Sequence, residues 1–328
     1  MSAPLAFTFG EPEPVMSTGG LMDYMECWLA GKWYEPPVNL NGLARSMRAS
    51  VYLESGLKFK RNMLLKYFIP HKLLSRDDFD RFALDFLWSG NAYLEQHTSV
   101  TGQRMPLKAC LAKYIRKGTQ PGQYFQVHHW QQEHEFANGS IIHLLEPDIH
   151  QELYGLPDWL SALQSAFLNE SATLFRRKYY NNGSHAGFIL YMNDPAQNEG
   201  DIDALRKALQ DAKGPGNFRN LFMYSPGGKK DGIQVIPVSE VAAKDEFNNI
   251  KNITRDDLLA ALRIPPQLMG VVPSNAGGFG NIRDAAGVWQ ENELTALQQR
   301  LLQVNDWLGE EVIRFKPYEL PAAQTPNT

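Results

Sequence analysis

The stretch Pro157–Gly183, PDWLSALQSAFLNESATLFRRKYYNNG, decides how the chain is organised. Proline suits a first helical turn, where its missing N–H would have had no partner. Leu160, Leu163, Phe167 and Leu174 are spaced for one buried face. Arg176, Arg177 and Lys178 fall in the last turns, where the helix dipole favours cations. Asn181-Asn182-Gly183 is a stop signal. A long helix therefore runs through the middle of the chain.

On its N-terminal side the signal is mixed α/β. Residues 1–20 are rich in Pro, Glu, Ser and Gly and read as a flexible arm. Asp77–Trp88 reads as a helix stopped by Ser89-Gly90-Asn91, and AYLEQH after it as a strand. Tyr124–Val127 and Ile141–Leu145 have strand character, with Asn138-Gly139 as a turn between them.

On its C-terminal side lies a small α/β insert. FILYM reads as a strand and DIDALRKALQDAKG as a short helix, while FRNLFMY and IQVIPV flank the turn PGGKKDG as a hairpin. A second helical region runs from about Lys244 to Ile264. Thr254 and Asp257 in it resemble a capping pair, which predicts a break or bend. Pro265-Pro266 is read as its end. A glycine-rich loop comes next, in which Leu262–Asn281 reads LRIPPQLMGVVPSNAGGFGN. Asn281 then caps a long helix to about Gly309, with Leu297, Leu301, Val304 and Leu308 as a packed seam. At 1.5 Å per residue that helix would reach roughly 40 Å. PAAQTPNT is expected to be a disordered tail.

Composition narrows the function. The 328 residues are 43% hydrophobic and 21% charged, a globular balance able to bury a sizeable core. A net charge of −4 gives no global attraction for nucleic acid. Cys27 and Cys110 are the only cysteines, which suits a reducing compartment. The start lacks a signal peptide's basic region and apolar run, and no window approaches the ~20 apolar residues of a membrane span. A soluble product made in the cytoplasm is expected.

No motif assembles an active site. The glycine loop carries neither a Walker A sequence nor a full G-x-G-x-x-G, because Arg283 stands at the third position after Gly278 and Gly280. The loop also comes after a helix rather than a strand. HHWQQEHE (128–135) holds His128, His129 and His134, but its surroundings look like strand, which sends neighbours to opposite faces. It reads as a solvated polar strand or loop rather than a metal site. Lys229-Lys230 form a charged turn tip, and Ser, His and Asp are scattered without a nucleophile elbow. Neither a catalytic residue, a metal nor a cofactor is expected.

Several segments together carry a resemblance. FGEPEPV, GKWYEPP, SGNAYLE, YGLPDWLSALQSAFLNESATLFRRKYYNNGSHAGFILY, KGPGNFRNLF, KDEFNNIKNITRDDLLAALRIPPQLMG and GGFGN, in that order, resemble portal proteins of PBSX-type prophages and related contractile-tailed phages. The resemblance covers nearly the whole chain. It implies an α+β portal architecture: an α/β wing at 21–156, a first stem helix at 157–183 and a clip at 184–243. A second stem helix at 244–264, a channel loop at 265–280, a long helix at 281–310 toward a crown and a tail at 311–328 complete it.

The same resemblance implies a function. Copies would form a dodecameric ring at one capsid vertex of the virion, assembled in the bacterial cytoplasm, through which double-stranded DNA is packaged and ejected without sequence recognition. Partners would be the terminase large subunit, docking on the clip near Lys229 and Lys230, the major capsid and scaffolding proteins, and head-completion and connector proteins, with no membrane. The loop would be Val271, Val272, Ser274, Asn275, Gly277, Gly278, Phe279 and Gly280, bounded by Pro265 and Pro266, and the stem would carry Arg176, Arg177 and Lys178. Its chemistry suits a pore: glycines keep it thin and deformable, and without Lys or Arg it cannot grip phosphates. The alternatives are a non-portal DNA-binding protein, which would carry a basic surface, and a nucleotide-dependent packaging factor, which would carry a phosphate loop.

Overall fold

Short local signals build the first half of the fold. A computed structural model of the chain describes residues 27–128, 132–181, 188–192, 233–237, 243–271 and 281–319. Strands β1 (Leu29–Ala30) and β2 (Trp33–Tyr34) precede helices α1 (Leu40–Ser46) and α2 (Val51–Tyr67). β3 (Phe68–Ile69) leads to α3 (Arg76–Ser89), which Ser75 opens by accepting from the Asp78 N–H and Gly90 closes in the left-handed conformation. Then come β4 (Asn91–Glu95), β5 (Lys108–Cys110), β6 (Ile115–Gly118), β7 (Tyr124–His128), β8 (Gln132–Glu135) and β9 (Ile141–Leu145).

A 3₁₀ turn at Asp158–Ala162 runs into α4 (Leu163–Asn181), and β10 (Phe188–Met192) and β11 (Ile233–Pro237) come after it. The remaining described elements are α5 (Ala243–Ala261), α6 (Ile282–Trp289), a π-turn (Gln290–Leu294), α7 (Thr295–Leu308) and β12 (Arg314–Phe315). All strand pairs among the described residues are antiparallel: β1-β2-β6-β7-β8, β5-β4-β9, β12-β3 and β10-β11. The mixture is α+β, as expected.

The chain divides into two compact units. One holds the described residues up to Ala166 and again from Asp256, and the other is Phe167–Arg255. In the first, the Phe68 ring stacks on Phe79 at 3.8 Å, and Phe315 meets both edge-on. Val312 and Ile313 are fully buried and the Lys316 N–H donates to the Tyr67 carbonyl. The expected tail therefore begins with core residues, while PAAQTPNT lies outside the described residues.

Two glycines set the closest approach. A Cβ on Gly155 would lie 2.0 Å from the Gly90 carbonyl oxygen, and one on Gly90 (φ +70°) 2.5 Å from the Leu156 backbone. Asn91 locks this crossing: its Oδ1 accepts from the Gly155 N–H at 2.7 Å and its Nδ2 donates to the Gly155 carbonyl at 2.8 Å. His143 Nε2 lies 3.0 Å from the same Oδ1, so that nitrogen carries the proton and Nδ1 faces the Tyr124 hydroxyl.

Four expectations change. Tyr124–Val127 pairs with the polar strand at 132–135, not with Ile141–Leu145, which pairs with β4. Asn138-Gly139 does turn, but between two different sheets. Pro157 caps a 3₁₀ turn in extended conformation instead of occupying a first α-turn. No break occurs at Thr254, whose hydroxyl donates to the Ile250 carbonyl at 2.7 Å within a continuous α5. The described partner of IQVIP is FILYM, and the expected FRNLFMY strand, the 201–214 helix and Lys229-Lys230 lie outside the described residues.

Burial holds the His143 pKa down at about 3, since an imidazolium there would lose its water. Below the ordinary value of 6.5 the unfolded chain takes a proton that the folded one refuses. This contribution is therefore complete above pH 6.5 and falls away as pH drops toward 3. His143→Gln should cost about 1–3 kcal/mol at neutral pH through its imperfect hydrogen bonds. The gap to wild type, measured by denaturant titration, should narrow as pH falls below about 6.5 and reverse sign before about pH 4. A constant gap would show that His143 does not titrate with folding.

Candidate functional site

The described residues frame both ends of the glycine-rich segment. On the near side α5 ends at Ala261, and Arg263 turns left-handed at φ +54°. Its N–H donates to the Ala260 carbonyl and the Ile264 N–H to the Leu259 carbonyl, both at 2.9 Å, the paired bonds of a Schellman stop. The helix is thus closed by Arg263, before the prolines are reached. Pro265 and Pro266 instead open a 3₁₀ turn, Pro266–Met269, closed by left-handed Gly270. The Val271 N–H returns to the Pro266 carbonyl at 3.0 Å.

On the far side Asn281 caps α6 by accepting from the Arg283 and Asp284 N–H groups at 3.1 and 3.4 Å. Trp289, 2% exposed, packs against Phe59 with ring centroids 5.1 Å apart. The long helix expected from Asn281 to Gly309 does not run as one α-helix. It widens into the π-turn, where the Thr295 hydroxyl donates to the Gln290 carbonyl at 3.0 Å. The extra residue per turn lets Trp289, Glu293 and Leu294 all point inward.

One chain of charges joins these parts. Lys60 on α2 pairs with Glu293 Oε1, Arg263 Nη1 lies 3.4 Å from Glu293 Oε2, and the same nitrogen lies 2.9 Å from Asp158. Lys60 and Glu293 are buried, while Arg263 and Asp158 are half-exposed. Burial pulls the Lys60 ammonium below its usual range, and the Glu293 carboxylate opposes that pull. Beside this cluster, Arg300 donates to the Leu145 carbonyl and meets Glu146 at 3.2 Å. Removing one partner of the buried pair costs about 3–5 kcal/mol because the other charge is left uncompensated, whereas an exposed pair such as Arg263–Asp158 is worth about 0–1 kcal/mol.

In the second unit α4 and α5 pack through a polar bond. Asn169 Nδ2 donates to the Thr254 hydroxyl at 2.8 Å, beside buried Phe167 and Ala172. Arg176 and Arg177 are exposed on α4, which also contains Lys178. Burial and the nearby Arg176 both lower the Lys251 ammonium's pKa.

Comparison with known proteins places this architecture. The phage portal protein family model matches residues 65–320. A probable portal protein of Escherichia phage P2 is 55% identical over 315 residues, covering 96% of this chain and 92% of that protein. The chain belongs to the phage portal protein family. Among solved structures, a chain of the neck of the native gene transfer agent particle, computed with C12 symmetry, superposes with a TM-score of 0.60 at 16% identity, covering 87% of this chain and 85% of that one. A HK97-family phage portal protein from Corynebacterium diphtheriae superposes at 0.54 with 12% identity, covering 84% and 94%. At those identities the likeness is one of fold. The family is shown at the level of phage portals, with no branch such as the PBSX type singled out.

In this portal protein, the expected loop boundary Pro265-Pro266 and Val271 fall on the described near side of the segment. Val272, Ser274, Asn275, Gly277, Gly278, Phe279 and Gly280 lie outside the described residues. Among the described residues no helix is long and apolar enough to cross a membrane. Lys60, Asp158, Arg263 and Glu293 escaped the sequence reading. On that reading Arg263 lies inside the second helix, 244–264.

Glu293→Gln should destabilise this portal by about 3–5 kcal/mol by leaving Lys60 buried without its charge partner. Adding Lys60→Met should recover part of the loss, because the two charges then leave together. Denaturant unfolding of the two single variants and the double variant decides this, and simple addition of the single losses would show that they do not act as a pair.

Proposed function

We propose that copies of this portal protein close into a ring, with twelve the expected number, at one capsid vertex, and that double-stranded DNA passes through it during packaging and ejection. Heterologous contacts that close generate such a ring, and C12 is the symmetry with which the similar gene transfer agent neck was computed. On this reading 21–156 is the wing, 157–183 and 244–264 are the stem, and 184–243 is the clip. The channel loop is then 265–280, and 281–310 leads toward the crown. The observation that carries the loop assignment is that an uncharged, glycine-rich segment is bracketed by a helix stop and a helix start tied to one ion-paired frame.

The ring supplies a path and a docking surface rather than chemistry. The motor is a separate ATPase, the terminase large subunit, meeting the clip at Lys229 and Lys230. Capsid, scaffolding, head-completion and connector proteins meet other faces of the ring, which is assembled in the host cytoplasm and remains in the virion. The rival reading, a nucleotide-dependent packaging factor, lacks a Walker A sequence to hold phosphates.

Mass measurement and electron microscopy of the purified protein should show closed rings, and monomer or dimer alone across salt and concentration would defeat the proposal. Gly278→Val puts a branched side chain at every copy of the loop and should leave rings and proheads normal while reducing packaged DNA. Ser274→Lys adds a belt of cations and should slow packaging at low salt, with relief as salt rises. Wild-type packaging by both variants would remove this loop from the DNA path.

A further inference from the structure

A left-handed residue closing a helix is usually glycine, because a side chain there crowds the backbone. Arg263 is the one described non-glycine residue with positive φ, and its neighbours give its side chain a reason to be there. Its guanidinium reaches Asp158, in the 3₁₀ turn that leads into α4, and Glu293, in the π-turn beyond α6. Glu293 is held from its other oxygen by buried Lys60. Arg263 therefore ends α5, touches the turn that precedes α4, and grips the far side of the glycine-rich segment.

We infer that Arg263 is a positioning residue that couples the two ends of segment 272–280, fixing the exit of α5 against the helix that begins after Asn281. Its consequence for DNA passage rests on the channel reading, but the coupling itself is a property of the protein alone. The residues immediately after Arg263 transmit the constraint stiffly. Ile264 is 3% exposed, Pro265 and Pro266 have fixed φ, and the turn closes by three backbone bonds: Leu268 to Pro265, Gly270 to Gln267 and Val271 to Pro266. On the far side Arg283, Asp284 and Ala285 donate to Asn281, and α6 continues directly into the π-turn that carries Glu293.

Arg263→Gly separates this role from plain stability, since glycine accepts the left-handed backbone without strain while removing the guanidinium. Native-state hydrogen exchange on the assembled full-length protein reads the amides of Leu268, Gly270 and Val271 on one side, and of Arg283, Asp284 and Ala285 on the other. Exchange should rise about tenfold or more on both sides in Arg263→Gly, with the β4–β9 amides unchanged. Arg263→Lys, which keeps the charge but replaces the rigid planar guanidinium with a flexible ammonium, should restore part of the protection relative to Arg263→Gly. Faster exchange on the α5 side alone, or on neither side, would reduce Arg263 to a local helix stop and overturn the inference. Packaged DNA per prohead, measured on the same variant, tests the channel reading separately. Loosened ends with normal packaging would defeat that reading and leave the coupling standing.

Discussion

The buried carboxylate of Glu293 is the constraint on which the first unit is arranged. A carboxylate with almost no contact with water must be paired or hydrogen-bonded, or it would be protonated or expelled. Lys60 meets one oxygen and Arg263 the other, and Asp158 balances Arg263 in turn. Four segments far apart in sequence are thereby brought to one place: the middle of α2, the entry to α4, the end of α5 and the π-turn. Alternating charge makes the set neutral. This is why it can sit among buried Leu57, Leu262 and Leu294 without an uncompensated ion.

Apolar packing alone would not define this meeting point so narrowly. Leu262 and Ile264 lie against α2 at Gly56, where a Cβ would fall 2.4 Å from Leu262 Cδ1. A leucine side chain can turn aside from such a contact, so Gly56 permits the approach without dictating its angle. One guanidinium nitrogen of Arg263, Nη1, reaches acceptors on two different elements, which adds direction to proximity. The Gly90–Gly155 crossing plays the same part at the end of α3, with Asn91 bonding both backbone groups of Gly155.

What could be read from the sequence was local, and what could not was pairing. Gly90, Gly309 and Asn281 signal helix ends by their own conformational and hydrogen-bonding preferences, and the structure places all three at caps. Asn138-Gly139 announces a turn equally well, but no local feature says which strands it joins, and β7 took the polar strand 132–135 as its partner. Thr254 and Asp257 match a capping pattern in letters alone. Mid-helix, the same threonine bonds back to Ile250 and accepts from Asn169, and only the neighbouring helix decides between the two. The prolines marked the end of α5 to within a few residues, yet the stop belongs to Arg263, a residue type with no preference for the left-handed conformation. Glu293 stands four residues before Leu297 and so falls on the seam by spacing, but a carboxylate among leucines is read as solvent-facing until its partner Lys60 is known.

The distribution of charge around the loop obeys a single logic on the channel reading. The cations of the frame are committed to protein acceptors: Arg263 to two carboxylates, Lys60 to Glu293, and Arg300 to Glu146 and the Leu145 carbonyl. The glycine-rich segment itself, VPSNAGGFG, carries no Lys or Arg. Each phosphate neutralised by a lysine or arginine releases counterions and tightens binding, so a ring of such contacts would hold a duplex that has to move. Holding the loop's ends needs strong, directional charge, whereas letting DNA pass needs its absence. On that reading the two demands fall to different residues: the buried Lys60–Glu293 pair fixes the frame, and the segment 272–280 carries no cation of its own.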